Sequence, residues 1–287
     1  MAVYKQSYRR YEGPLTPPWS RFLIIPRYAY QRVFDSRFLI FFFVTCFIGP
    51  AVCAVIIYLR HNSGALEMFN ISLAKLLKVD GRFFFEFISA QGWMGFLLTA
   101  FVGPGLISRD LANNALPLYF CRPFSRAEYV IGKMSVLAIL LSLITWIPGL
   151  LLFAFNASLE GTAWLWENLW LAGGLFLGSW VWILTLSLLA LALSAWVKWR
   201  LAAGALLFGV FFAAAGFGQA INEILDTKSG DLINLSKVIQ TIWRGLFRQP
   251  LKDGVSPFGA WEVVITLSAV CLLLLAKKVR AYQVERS

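Results

Sequence analysis

Histidine, cysteine and nucleotide-binding motifs are scarce in this sequence of 287 residues. Its single histidine, His61, excludes a multi-histidine metal site and leaves a serine–histidine triad without support. Its one Gly-Lys pair, Gly132-Lys133, is followed by methionine and so belongs to no phosphate-binding loop. Two of its four cysteines, Cys46 and Cys53, are seven residues apart on one predicted helix, too far for a disulfide. We therefore expect a non-catalytic chain with no metal and no directly bound cofactor.

Charged residues are also rare, and apolar residues are correspondingly abundant. Only 14% of the residues are charged and 59% are hydrophobic, with a mean hydropathy of +0.69. An ordinary soluble domain has about 25% charged residues. Six runs are long enough to cross a bilayer as helices, near residues 38–58, 83–107, 129–153, 169–197, 201–221 and 257–276. The sequence predicts an all-α polytopic membrane protein whose six transmembrane helices occupy residues 38–280.

The remaining charges are distributed unevenly between the two predicted sides of the membrane. Seventeen of the 26 lysines and arginines fall on one side, with five of the 15 acidic residues. The two sides then carry net charges of +12 and −1, in agreement with the total of +11. By the positive-inside rule, both termini and the loop between the second and third spans lie in the cytoplasm. Because topology explains the basic pI, we expect no nucleic-acid partner.

The segment before the first span has the pattern of an amphipathic helix. We predict a cytoplasmic tail over residues 1–25, an interfacial helix over 26–37, and a second cytoplasmic tail over 281–287. The polar residues of the interfacial helix include Arg27, Arg32 and Asp35. The alternative is a charged flank that only enforces topology.

The loop between the second and third spans, residues 108–128, has three separable parts. Residues 109–116 are predicted to form a short surface helix with an apolar stripe, which Pro117 ends. Ser125 and Glu128 have the spacing of a capping box that starts the third span. A surface helix that is joined rigidly to two spans can transmit the movement of a soluble partner to those spans.

The longest outer loop, residues 222–256, contains an amphipathic run at residues 232–247. In this run, Trp243 and Phe247 suggest a segment that dips into the outer interface of the membrane. A peripheral amphipathic helix and a short re-entrant pair of helices both fit the pattern.

Polar residues inside the second and third spans are further candidates. Glu86 and Gln91 lie in the outer half of the second span, where a carboxylate is by default a candidate functional site. An interfacial ion pair between Arg82 and Glu86 is the alternative, and the one we favour. Lys133, in the third span, is expected to extend to the inner headgroups.

Small residues form a continuous face on the fifth predicted span. Ala205, Gly209 and Ala213 recur at every fourth position, a pattern that lets two helices approach closely in lipid. This face is either a homodimer seam or a packing face against a helix of the same subunit. Gly174 and Gly178 of the fourth span are expected to face the interior.

The loop at residues 108–128 resembles that of the permease subunits of type-2 ABC exporters. The likeness rests on Arg109-Asp110, on Asn113-Asn114, and on the stretch Arg122-Pro123-Phe124-Ser125-Arg126 that leads to Gly132-Lys133. That family typically shows an acidic residue, a small turn-capable pair, and a Pro-hydrophobic-Ser-Arg stretch before Gly-Lys. Many relatives have glutamate for Asp110 and Gly-Thr for the asparagine pair, but asparagine tolerates the left-handed backbone that keeps such a turn.

The resemblance implies two permease copies, identical or paralogous, with a cytoplasmic ABC ATPase beneath each in a bacterial inner membrane. ATP and Mg²⁺ would bind to the ATPase and not to this chain. The residues that would couple to the ATPase are Arg109, Asp110, Leu111, Asn113, Asn114, Leu116, Pro117, Arg122 and Arg126. The outer segment would be re-entrant and close the exit, with Glu86, Gln91 and Trp243 as candidate gate or substrate residues.

Two other functions are compatible with the residues. A secondary transporter driven by an ion gradient would use Glu86 for ion coupling. An assembly or anchoring subunit would transport nothing itself. The spans offer no charge-lined channel, so a lipid-like, amphipathic or peptide cargo is slightly favoured over a small ion.

Overall fold

The structure, a computed structural model, describes residues 23–62, 78–120, 125–197, 199–251 and 254–279, without the side chains of Arg32 and Phe120. The regular structure in these ranges is helical, as the sequence predicts. Arg122, the segment 281–287 and most of the predicted tail 1–25 lie outside the described residues.

The described ranges contain thirteen α-helices, numbered here in chain order, and a 3₁₀ helix at Ser229–Leu232. The α-helices are α1 (Ile24–Phe34), α2 (Arg37–Thr45), α3 (Ile48–His61), α4 (Gly81–Val102), α5 (Pro104–Ala112), α6 (Leu116–Phe120), α7 (Arg126–Ile144), α8 (Trp146–Glu160), α9 (Thr162–Glu167), α10 (Leu169–Trp196), α11 (Arg200–Leu225), α12 (Leu235–Leu246) and α13 (Pro257–Lys278).

Six helical segments among the described residues are long and apolar enough to cross a membrane, which confirms the predicted number of spans. They are span 1 (Arg37–His61), span 2 (Gly81–Ala112), span 3 (Arg126–Glu160), span 4 (Leu169–Trp196), span 5 (Arg200–Leu225) and span 6 (Pro257–Lys278). These helices are those of a multi-pass membrane protein.

Spans 2 and 3 are longer than predicted, and each is interrupted near a proline. Span 2 is interrupted at Gly103, directly before Pro104, and span 3 at Thr145, shortly before Pro148. A proline ring clashes with the carbonyl group of the preceding helical turn, so the bend forms on its N-terminal side. Both helices resume beyond the interruption.

Spans 2, 3 and 4 form the centre of the bundle. At least two-thirds of the apolar window of each is buried, against less than a quarter in spans 1, 5 and 6. Span 4 packs against spans 2, 3, 5 and 6. As predicted, Gly174 and Gly178 face the interior, where β-carbons built on them would lie 3.3 Å from the Phe247 ring and 3.0 Å from the Trp243 ring. Span 1 lies outside this centre, against spans 2 and 3.

Helix α1 lies against the first half of span 3. The Tyr30 hydroxyl donates a hydrogen bond to the carbonyl oxygen of Val136 at 3.2 Å, and burial raises the pKa of the Tyr30 phenol. The extended backbone of Ser36 ends this short helical unit, and span 1 begins at the next residue. Arg27 and Asp35 are exposed to the surroundings. Helix α1 therefore braces span 3 from outside.

Candidate functional site

The loop between spans 2 and 3 lies at the end of the bundle that carries Arg109, Arg126 and Arg200, called here the basic end. Its predicted helix over residues 109–116 is wrong, because span 2 runs on to Ala112 and then stops. The stop is a Schellman motif, in which the Ala115 N–H donates to the Asp110 carbonyl oxygen at 2.8 Å. Asn114 has φ = 49°, so the left-handed position falls on one of the two asparagines. The turn expected of that pair is present.

A five-residue helix, α6, follows this turn. Pro117 lies in its first turn, where the missing N–H would have had no partner within the helix. Leu116 is buried, whereas Pro117 and Leu118 are exposed, as are the asparagines at 113 and 114. Residues 112–120, called here the connecting turn, therefore present a mixed polar and apolar surface at the basic end.

The start of span 3 is fixed by the predicted capping box. The Ser125 hydroxyl accepts from the Glu128 N–H at 3.1 Å, and the Glu128 carboxylate accepts from the Ser125 N–H at 2.6 Å. This reciprocal pair satisfies two donors that a helix N-terminus would otherwise leave without a partner. The chain therefore enters span 3 in a defined direction, with Arg126 exposed beside the cap.

A buried ion pair joins spans 2 and 3 directly below the connecting turn. The Lys133 ammonium group lies 2.7 Å from Asp110 Oδ2, and the Tyr129 hydroxyl donates to the same oxygen at 2.7 Å. The Tyr119 ring of α6 stacks at a tilt on the Tyr129 ring, with centroids 5.3 Å apart. We call Asp110, Tyr119, Tyr129 and Lys133 the Asp110 cluster. It ties the connecting turn to both spans.

The position of Lys133 corrects the sequence-based expectation that it reaches the headgroups. Its ammonium group lies 5.5 Å from the Tyr129 ring centroid and 6.0 Å from that of Tyr119, and the residue is only 7% exposed. A charge in such surroundings is stable only with a close counter-charge. Asp110, itself 9% exposed, provides that counter-charge. Asp110 therefore supports the turn from within and does not form part of its exposed surface.

A hydroxyl of span 4 secures the kink of span 2 at the same end. The Ser194 hydroxyl accepts from the N–H groups of Ile107 and Ser108 at 3.1 and 2.9 Å, and donates to the Pro104 carbonyl oxygen at 2.7 Å. All three bonds are buried, where a satisfied network resists distortion. Sequence reasoning did not find Ser194, because nothing in span 4 marks one serine among several.

The predicted coupling residues fall into two groups in the structure. Asn113, Asn114, Pro117 and Arg126 are exposed, and Arg109 and Leu111 are partly exposed. Asp110 and Leu116 are buried. The loop thus combines an outward surface with a buried anchor, a division that the sequence pattern did not reveal.

At the opposite end of the bundle, the outer segment is anchored inside the protein by Trp243. Its indole N–H donates to the carbonyl oxygen of Gly178 in span 4 at 3.0 Å, and its ring lies over Gly92 of span 2. A β-carbon at Gly92 would come within 2.6 Å of that ring. The side chains of Trp243 and Phe247 are both buried within the bundle, and the interfacial or re-entrant placement of their segment stays a prediction.

A second anchor holds the start of the outer segment. Asp231 accepts from the Asn222 side-chain amide at 2.8 Å and pairs with the Lys237 ammonium group at 2.7 Å. Asn222 lies in the last turn of span 5, so these bonds fold the 3₁₀ helix and α12 back onto that span. The sequence analysis did not single out any of these three residues.

Glu86 and Gln91 line a cavity of about 640 Å³ between spans 1 and 2 at the opposite end. The Gln91 amide is buried and donates to the Cys46 carbonyl oxygen at 3.1 Å, whereas Glu86 is exposed. In the part of the chain that the structure describes, no ion pair joins Arg82 to Glu86. The favoured pairing was wrong, and arginine four residues before glutamate is indeed the weaker of the two orders on a helix.

The small-residue face of span 5 is exposed. Ala205, Gly209 and Ala213 are exposed, and no heavy atom outside the helix's own local backbone lies within 4 Å of a β-carbon built at Gly209. Among the described residues, no helix of the same chain covers this face. Within the described ranges this face therefore has no packing partner in the same subunit.

Metal binding finds no support in the described residues, where no three histidine, cysteine, aspartate or glutamate side chains are grouped suitably. A comparison with known protein families gave no match, and no curated protein matched the chain.

Proposed function

We propose that this chain is the permease subunit of an ATP-driven exporter of the type-2 ABC class. A separate cytoplasmic ATPase, carrying ATP and Mg²⁺, drives it. The observation that carries the proposal is the Asp110 cluster, in which buried bonds of 2.7 Å join spans 2 and 3 directly below the exposed connecting turn. The Tyr119 ring of that turn packs on the Tyr129 ring, with centroids 5.3 Å apart. A turn fastened in this way transmits a displacement to the spans and does not absorb it.

The path for such a displacement continues from the basic end into the centre of the bundle. Ser194 links span 2 to span 4 at the Pro104 kink, and α1 braces span 3 through Tyr30. Packed helices move as units that shift between discrete arrangements. In the proposed mechanism, closure of the ATPases moves the connecting turn, and spans 2, 3 and 4 carry that motion to the opposite end.

The outer segment is the element proposed to respond to that motion. The Trp243 ring packs on Gly92 of span 2, and its indole N–H donates a hydrogen bond to Gly178 of span 4. A relative shift of these two spans would therefore change the contacts that hold Trp243. The segment then acts as the gate at the exit, with Glu86 and Gln91 in the neighbouring cavity as candidate substrate contacts. The cargo class is the lipid-like, amphipathic or peptide one that the sequence favours.

The proposed setting is a bacterial inner membrane with both termini in the cytoplasm. The excess of arginine and lysine at the basic end supports this orientation. A second permease copy, identical or paralogous, completes the pathway, and the exposed small-residue face of span 5 is where it would pack.

Copurification with the co-expressed ATPase tests the proposal. Asn113→Arg places a long cation on the exposed connecting turn, and we expect it to lower the amount of ATPase recovered with the permease at least tenfold. Asn62→Arg is a matched control, because Asn62 is also an exposed asparagine that ends a helix, but at the opposite end. Equal ATPase recovery with both variants, or transport driven by an ion gradient without any ATPase, would contradict the proposal.

A further inference from the structure

The cavity of about 640 Å³ between spans 1 and 2 has an apolar part and a charged part. The apolar part comes from both spans and includes Cys53, Ile56, Phe83, Phe87 and Ala90. The charged part comes from span 2 and the residues just before it, and consists of Lys78, Asp80, Arg82 and Glu86. Cavities of this volume hold a small organic molecule. Walls of both kinds suit a ligand that is itself amphipathic.

Gln91 brings to this cavity a buried acceptor that lacks a donor. The residue is only 2% exposed, and its side-chain amide nitrogen is occupied by the Cys46 carbonyl oxygen of span 1 at 3.1 Å. Its Oε1 atom is also buried, and it accepts no hydrogen bond from the residues that the structure describes. Because a buried acceptor without a donor is unfavourable, a ligand that brings an N–H or O–H group to Gln91 gains affinity there.

Glu86 offers a second acceptor, and this one is charged. It is exposed and lines the cavity, and in the described ranges it has no ion-pair partner. The other carboxylate of the lining, Asp80, has a structural role, because it caps span 2 by accepting from the N–H groups of Arg82 and Phe83. Glu86 has no such role among the described residues. Of the charged groups of the lining, it is also the nearest to Gln91 along span 2.

The spacing of Glu86 and Gln91 allows one ligand group to reach both. They are five positions apart on span 2, which is about 7.5 Å along the helix axis. Two long side chains and a donor between them cover that distance. An ionised carboxylate and an amide oxygen are both acceptors, so the shared group must be a donor. A primary ammonium group has N–H donors for both acceptors and a positive charge for the carboxylate.

We propose that this cavity binds an amphipathic primary amine. The ammonium group lies between the Glu86 carboxylate and Gln91 Oε1, and the apolar body of the ligand follows Cys53, Ile56 and Phe87. Arg82, on the same wall, opposes a cation, so binding depends on Glu86. Such amines are then the cargo class of the exporter, and in this respect the assignment rests on the proposed function.

Protection of Cys53 from a thiol reagent tests the proposal, because this partly exposed residue lines the cavity. In the full chain the other three cysteines, Cys46, Cys121 and Cys271, are replaced by alanine. The chain is reconstituted in phosphatidylcholine nanodiscs without the ATPase, and mass spectrometry follows the labelling of Cys53 by N-ethylmaleimide. Three ligands with the same apolar chain are compared: dodecylamine, dodecyltrimethylammonium, which has no N–H group, and dodecanol, which has no charge. Dodecylamine should slow the labelling at a concentration at least fivefold lower than the other two.

Two variants of the wall should shift the half-protecting concentration of dodecylamine in opposite directions. Glu86→Gln should raise it about tenfold, because it removes a hydrogen bond to a charged group. Arg82→Gln should lower it about twofold, because it removes a like charge from the same wall. Glu262→Gln is the matched control and should leave it unchanged, because Glu262 is an exposed glutamate near the start of span 6, outside the cavity lining.

Equal protection by dodecylamine and dodecanol, or an unchanged half-protecting concentration in Glu86→Gln, would overturn the proposal. Equal protection by dodecylamine and dodecyltrimethylammonium would also overturn it, since the ligand would then donate no hydrogen bond to Gln91. Amine binding is measured without the ATPase, so a failure of ATPase docking and a failure of amine binding are separate results.

Discussion

Asp110 accepts two hydrogen bonds of 2.7 Å in the protein interior, one of them from a charged group. Removing one member of such a pair leaves the other charge buried without compensation, at a cost of about 3–5 kcal/mol. Replacing both members by apolar groups of similar size removes the charge and the penalty together. Either both charges are present or neither is. The ion pair therefore fixes spans 2 and 3 relative to each other more than it adds to the free energy of unfolding.

A double-mutant cycle separates these two contributions. Asp110→Leu and Lys133→Met should each lower the free energy of unfolding by about 3–5 kcal/mol, whereas the two combined should recover most of that loss. Thermal or chemical unfolding of the purified chain in detergent measures this. Glu167→Gln, at an exposed site in α9, should change stability by less than about 0.5 kcal/mol. Additive single and double effects would show that Asp110 and Lys133 do not interact.

The roles of Asp110 and Lys133 could not be predicted from the sequence for a physical reason. Lys133 lies about two turns inside span 3, where a long side chain either extends to the headgroups or turns inward to an anion. The choice depends on whether a carboxylate of another span faces it, and only the fold decides that. The turn at Asn113-Asn114, in contrast, could be predicted, because the left-handed backbone conformation is a local property of asparagine. Asn114 adopts that conformation in the structure.

At the scale of elements, α12 is held in place by Trp243 and by the contacts of Asp231 with Asn222 and Lys237. Trp243→Ala should remove the indole from the slot at Gly92 and Gly178, at a cost of about 3–5 kcal/mol. Most of that loss should appear as local opening, because α12 lies at the edge of the bundle. Amide hydrogen exchange should then quicken over residues 235–246 while span 3 stays protected.

Trp166→Ala is the matched control for this change, because Trp166 is 73% exposed in α9 at the same end. It should leave hydrogen exchange in α12 unaltered. Unchanged protection of residues 235–246 in Trp243→Ala would show that the tryptophan is not what anchors the outer segment.

The six spans were predictable, whereas the short helices between them and the interruptions of the spans were not. A run of about 20 apolar residues specifies a spanning helix without reference to its neighbours. The interruption at Thr145 and the direction in which the apolar face of α12 points depend on the neighbouring helices that each one packs against. The amphipathic pattern of α12 indicates that one face is apolar, but only the fold shows that the helix packs on spans 2, 4, 5 and 6.

At the scale of the whole molecule, spans 1, 5 and 6 surround a buried centre of spans 2, 3 and 4. Gly209→Leu should obstruct the exposed small-residue face of span 5 and lower the fraction of dimer at least fivefold. Mass photometry of the chain in nanodiscs measures that fraction. Gly173→Leu is the matched control, because Gly173 is also an exposed glycine with open space around it, on span 4. Equal dimer fractions in both variants would exclude span 5 as the seam.

Cysteine crosslinking in membrane vesicles tests most directly whether the connecting turn receives the ATPase. The four native cysteines are replaced by alanine, and a single cysteine is introduced as Asn113→Cys or, at the opposite end, as Asn62→Cys. With the co-expressed ATPase and a short reagent that reacts with a thiol at one end and with any neighbouring group on illumination at the other, coupling through the turn predicts a permease–ATPase adduct from position 113 alone, with a yield that changes when ATP is added. An adduct from position 62 alone, or from neither position, would contradict that coupling.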